Sequence, residues 1–250
     1  MPYYLEICVA GRTMEISKYY TYRYHAKGMP RGKKIDKTSE AQKKVNQRKA
    51  EKELRRIMNT NFQDGDLLVR LDFHNRPDGS AEMQDIISDA IKKMREKLRK
   101  KKIQFKYVYV KEVGPRGGRH IHMMISKIDT DIIRKAWPHG GIHIDPLYTN
   151  GQYGQIAAYF IKYAARTEET EGRLIGKRWY PSLNMEKPKI IKKIISANEF
   201  RKEPKKVEGY ELDKTSERSW ISEFTGYEHY TCTLMRIKNQ TDRKRERKRE

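Results

Sequence analysis

The chain has 250 residues, 36% of them hydrophobic and 35% charged, enough for one good-sized domain with appendages or two small domains. Its 55 lysines and arginines outweigh 33 aspartates and glutamates to leave +22, a field that draws polyanions. Nucleic acid comes first among these, and a ribosome or an anionic membrane surface fits the charge equally well. The two distant cysteines, Cys8 and Cys232, exclude a disulfide scaffold and fit a reducing cytosol. No apolar run reaches the ~20 residues that span a bilayer, and the N-terminus lacks a signal-peptide pattern.

From the start of the chain, Tyr3 to Val9 reads as a strand ended by a turn at Gly11. An aromatic, basic stretch follows, with Tyr19, Tyr20, Tyr22 and Tyr24 before Lys27, Arg31, Lys33 and Lys34. Ser39 to Met58 is predicted as a highly charged helix. Its apolar residues are few (Val45, Leu54, Ile57), so it is expected to be mostly solvated or to lie on an acidic partner.

The middle is more regular. Leu67 to Phe73 alternates as a strand does, and Pro77-Asp78-Gly79 marks a turn with Ser80 as a plausible N-cap. Met83, Ile86, Ile87, Ala90, Ile91, Met94 and Leu98 recur at helical spacing, predicting an amphipathic helix to Lys100. Ile103 to Glu112 and His120 to Ser126 are strands joined by the glycine-rich turn at 114–118, an antiparallel hairpin. A short helix near Asp131 to Trp137, a strand at Ile142 to Ile144 and a helix from Gln155 to Arg166 complete the pattern. The order β–α–β–β–α–β predicts an α+β fold: a ferredoxin-like antiparallel sheet flanked by helices, with basic N- and C-terminal extensions. Beyond Thr167 only a strand at Arg178 to Leu183 stands out, and residues 241–250 read as a disordered basic tail.

His120 and His122 lie two apart on one strand, so their imidazoles share a face. β-Propensity does not ask for such a pair, which suits a divalent cation as well as a plain polar face. Glu112 ends the partner strand and can lie opposite the pair. Two imidazoles and a carboxylate, with positions left open, would hold Mg²⁺ or Mn²⁺ and a phosphate oxygen. In the later helix, Tyr159, Lys162 and Tyr163 share one face, and Ala157, Ala158, Ala164 and Ala165 let it approach the sheet closely. A tyrosine that attacks a phosphodiester needs a polarised phosphate, and Lys162 is placed to favour its phenolate. Helical tyrosines are otherwise ordinary packing residues. Tyr107 and Tyr109 on the hairpin strand, with Arg116 and Arg119 at its turn, are the candidate DNA contacts. His139 and His143 form a second histidine pair, read as part of a turn and sheet edge beside two glycines.

These motifs resemble those of the HUH endonucleases, which include rolling-circle replication initiators. His120-Ile-His122 looks like the family's His-hydrophobic-His motif, and Tyr159-Phe-Ile-Lys162 looks like its Tyr-x-x-Lys motif. LLVRLDF (Leu67 to Phe73) is similar to its first, structural strand, although Arg70 and Asp72 stand where small hydroxyl residues are common. WYPSLN at Trp179 to Asn184 is a softer likeness. The resemblance covers roughly residues 65 to 167. It implies domains at 1–62 (basic strand and charged helix), 63–190 (endonuclease) and 191–250 (accessory segment with the basic tail).

The resemblance also implies an activity: nicking and rejoining of single-stranded origin DNA through a 5′-phosphotyrosine at Tyr159, with Glu112, His120 and His122 holding the metal. Tyr163, four residues on, is either a second nucleophile or a packing residue. The implied setting is the cytoplasm of a prokaryotic host, on a phage or plasmid. GRLIGK (Gly172 to Lys177) is one residue short of a phosphate loop, which leaves unwinding to a host helicase and extension to a host polymerase. Two other readings stay open. One is a relaxase or tyrosine transposase of the same superfamily. The other is a non-catalytic nucleic-acid-binding sheet that stacks bases on aromatic side chains.

Overall fold

The computed structural model describes residues 3–20, 40–114, 116–170, 177–195, 201–202, 204, 206–223 and 226–237. The basic stretch from Tyr22 to Lys34 and the tail at 241–250 lie outside the described residues. β1 (Tyr3–Ala10), β2 (Thr13–Tyr20) and α1 (Glu40–Asn61) lead into β3 (Leu67–Asp72), α2 (Ser80–Lys100), β4 (Tyr107–Val113) and β5 (Arg119–Ile125). Next come α3 (Thr130–Ala136), β6 (Ile142–Pro146), α4 (Gly154–Thr170) and the two-residue β7 (Tyr180–Pro181). The chain then forms β8 (Lys189–Ile195), β9 (Tyr210–Ile221) and β10 (Glu228–Arg236).

The strands build two antiparallel sheets, each in its own compact unit. One unit is residues 49–186; the other joins residues 1–48 to residues 187–248. In the first, the sheet order is β6-β3-β5-β4-β7, and β3-α2-β4-β5-α3-β6 follows the expected ferredoxin-like path. Alternation along the strands gives each face its own core. Leu67, Val69 and Leu71 of β3 and Ile121, Met123 and Ile125 of β5 pack against α2 and α3. Val108 and Val110 of β4 and Met124 of β5 pack on the opposite face with Phe160 and Ile161 of α4.

That second face also buries one stripe of the C-terminal half of α1, while the N-terminal half stays largely solvated, as its composition leads one to expect. Ala50, Leu54 and Met58, with Phe62 just past the helix end, recur every fourth residue and are at most 6% exposed. Leu54→Ala is therefore expected to cost about 2–5 kcal/mol of stability, while Val45→Ala, at a position 42% exposed, stays within about 0.5 kcal/mol. Chemical denaturation of the two variants checks this. α2 begins at Ser80 itself rather than being capped by it. Gly79, at φ 110°, holds the cap position with no side-chain bond, and the Glu82 carboxylate accepts from the Asp78 N–H instead.

The other unit has sheet order β8-β1-β2-β10-β9. Its core gathers Ile16, Tyr230, Cys232 and Leu234, with Leu5, Met14 and Leu212 against them. Gly11, at φ 58°, turns β1 into β2. The two ends of the chain, separate appendages in the sequence reading, thus share one sheet. Among the described residues no helix is long and apolar enough to cross a membrane.

Candidate active site

The β4–β5 register decides which side chains meet. Glu112 pairs directly with His120, and Val110 pairs with His122. On the other side of β5, Asp72 of β3 pairs with His120 and Arg70 pairs with His122. Cross-strand partners share a face, so Glu112, His120, His122, Arg70 and Asp72 all stand on the face that carries α4. His122 and Glu112 are both buried, and His122 Nε2 lies 2.6 Å from Glu112 Oε2. His120 turns the other way, with Nδ1 2.7 Å from Asp72 Oδ1.

α4 brings its aromatic face onto this pair. Ala157, Phe160, Ile161 and Ala164 are buried, which holds the helix down. Tyr163 lies flat on His122, with centroids 4.7 Å apart and planes 4° apart. Tyr159 meets the same imidazole edge-on at 5.5 Å and is 43% exposed. The two phenol rings are 4.1 Å apart at 89°. Lys162 is exposed on the same helix. Thr167, which the sequence reading passed over, fastens the end of α4 to β4. Its hydroxyl accepts from the Val113 N–H at 3.0 Å and donates to the Tyr163 carbonyl at 3.0 Å.

Three expected DNA contacts are corrected. Tyr107, Tyr109 and Arg119 alternate with the site residues and so point to the opposite face. All three are at most 9% exposed. The Tyr109 hydroxyl lies 2.9 Å from Gln84 Nε2 and the Tyr107 hydroxyl 3.3 Å from Arg95 Nη2, both partners on α2. Arg116 remains exposed in the turn, and Arg76 lies against Gly117 there, 3.0 Å from where a side chain's first carbon would stand.

Lys111 shares that opposite face, its ammonium 5.2 Å from the centre of the Tyr180 ring. Burial first, then the Arg119 charge, pushes it from an ordinary 10.5 down to about 8. The native state therefore gives up this proton before the unfolded chain does. The contribution of Lys111 to stability rises as the pH climbs from about 8 to about 10.5. Lys111→Met is expected to be the more stable protein at pH 7, by on the order of 1–2 kcal/mol, with the gain shrinking by pH 10.5. Denaturation of both proteins at the two pH values checks the sign.

Among the described residues, no three His, Cys, Asp or Glu side chains converge as a cluster that could hold a metal ion. The donor set still suits a hard divalent cation in type and register: one carboxylate and two imidazoles from adjacent positions of one sheet face. Space beside His120 Nε2 is kept open as well. A first side-chain carbon on Gly118 or Gly114 would stand 3.3 or 3.6 Å from His120 Nε2.

Residues 67–168 match the family model described as replication-associated protein ORF2/G2P. The matched span runs from the first residue of β3 into the last turn of α4, and thus covers every element of the site. The match supports a role in replication, and with it an encounter with DNA. No curated protein and no solved structure matches the chain.

Proposed function

We propose that residues 67–168 form a metal-dependent endonuclease that nicks single-stranded DNA and holds the 5′ end on Tyr159 to start rolling-circle replication. The observation that carries this reading is the packing of both Tyr159 and Tyr163 against His122, itself paired with Glu112. A bare packing tyrosine does not need a buried histidine–carboxylate pair behind it. Glu112, His120 and His122 would hold Mg²⁺ or Mn²⁺, which supplies charge stabilisation at the scissile phosphate.

The rest is done by the chain. Tyr159, the more open of the two tyrosines in its packing on His122, attacks the phosphorus through its hydroxyl oxygen. The P–O bond to the 3′ oxygen breaks as the phosphotyrosine bond forms, and the proton lost by Tyr159 ends on the freed 3′-hydroxyl. Lys162, three residues along the same face, stabilises negative charge on the phenolate. Tyr163 holds the His122 ring in place by stacking, which favours its packing role over that of a second nucleophile. Arg116 and Arg76, at the hairpin turn, line the approach for the DNA backbone.

The non-catalytic sheet is the weaker reading, because the strand tyrosines it would use for stacking are in the core. The family description favours replication over mobilisation or transposition. The test is a labelled single-stranded oligonucleotide pool with Mn²⁺. A covalent protein–DNA adduct that survives denaturant and is absent in EDTA is expected; tight, metal-independent binding without an adduct would overturn the proposal.

A further inference from the structure

We infer that Asp72 is a positioning residue, which fixes the ring orientation and tautomer of His120 so that Nε2 is left as the ligand nitrogen. The inference rests on the metal reading above and goes beyond it to a residue outside the ligand set. His120 Nδ1 is 2.7 Å from Asp72 Oδ1, and a carboxylate can only accept, so Nδ1 carries a proton and the neutral ring keeps its lone pair on Nε2. Nε2 then faces the room beside Gly114 and Gly118.

The surroundings of Asp72 are built to hold that carboxylate. Arg70 grips both of its oxygens, Nε to Oδ1 at 3.1 Å and Nη2 to Oδ2 at 3.3 Å. His143 Nε2 stands 3.6 Å from Oδ2. The backbone of Asp72 is clasped by the segment from Trp137 to Gly141. The Asp72 N–H donates to the Gly141 carbonyl at 2.8 Å, and the Trp137 indole N–H donates to the Asp72 carbonyl at 3.0 Å. The clasp needs its glycines: a first side-chain carbon on Gly140 would fall 2.1 Å from the Asp72 carbonyl oxygen, and one on Gly141 would fall 3.1 Å from Oδ2. The Trp-Pro-His-Gly-Gly-Ile-His run, read from sequence as a turn beside a sheet edge, is thereby tied to the site through Asp72.

The experiment uses the full chain. Ring ¹⁵N shifts of His120 are measured without metal, and Mn²⁺ affinity is measured by titration, in the native protein, Asp72→Ala and Asp72→Asn. The native ring is expected to carry its proton on Nδ1. Asp72→Ala should shift it toward Nε2 and weaken Mn²⁺ binding by about 10- to 100-fold. Asp72→Asn, whose amide oxygen can still accept from Nδ1–H, should recover most of both. A native proton on Nε2, or Mn²⁺ affinity unmoved in Asp72→Ala, overturns the inference. If Asp72→Ala does not fold, the native tautomer and the Asp72→Asn affinity decide. A native protein with the Nδ1 tautomer but no Mn²⁺ binding overturns the metal reading itself, and with it what Asp72 is oriented for, while leaving the orientation intact.

Discussion

Phenylalanine at position 159 is expected to abolish the covalent adduct and slow nicking by about three orders of magnitude or more, because the attacking oxygen is gone. Folding should be nearly untouched. Tyr159 is 43% exposed, and its ring contacts with His122 and Tyr163 survive in phenylalanine. Tyr163→Phe makes the comparison sharp. The flat stack on His122 needs the ring and not the hydroxyl, so adduct formation should persist within a few-fold. Gel analysis of both variants under denaturing conditions reads this directly. Loss of the adduct in Tyr163→Phe alone would exchange the roles of the two tyrosines.

The second large effect belongs to His122. His122→Ala removes an imidazole from the donor set, the ring under Tyr163 and the 2.6 Å partner of Glu112 together. Loss of metal-supplied charge stabilisation is worth several kcal/mol, so nicking should fall by about 10²- to 10³-fold. Stability should fall as well, by about 1–3 kcal/mol, since a buried carboxylate loses a hydrogen-bond partner. His122→Gln separates the two effects. Its amide can donate to Glu112 and restore stability, yet it is a poor substitute ligand, so activity should stay low. Nicking rates at saturating Mn²⁺, set beside urea denaturation, distinguish the outcomes.

The first unit was legible because its signals are local. The β4–β5 hairpin carries its own turn and strand alternation, and the motif residues on β5 and α4 each lie within a single element. Parity within the hairpin is legible in the sequence too. Once Glu112 is placed with His120, the residues at 107 and 109 must face away from it, as must Arg119. In α1 the buried apolar stripe is one residue wide and ends on Phe62, beyond the predicted terminus, which hides it in a charged composition. The second sheet was largely hidden. β2 looked like the start of a basic aromatic stretch, and β9 is polar along most of its length. Two of its pairings, β1 with β8 and β2 with β10, join opposite ends of the chain, where no hairpin signal can link them. Asp72 stood out only as a departure from the usual first motif, and its bond to His120 depended on the β3–β5 register.

The most direct test is to locate the covalent bond. After reaction with single-stranded DNA and Mn²⁺, the adduct would be digested with protease and nuclease, and the modified peptide sequenced by mass spectrometry. The expected product is a nucleotide phosphate on Tyr159, within the α4 peptide. A phosphate on a residue outside α4, or no modified peptide from a protein that binds the DNA tightly, would contradict it.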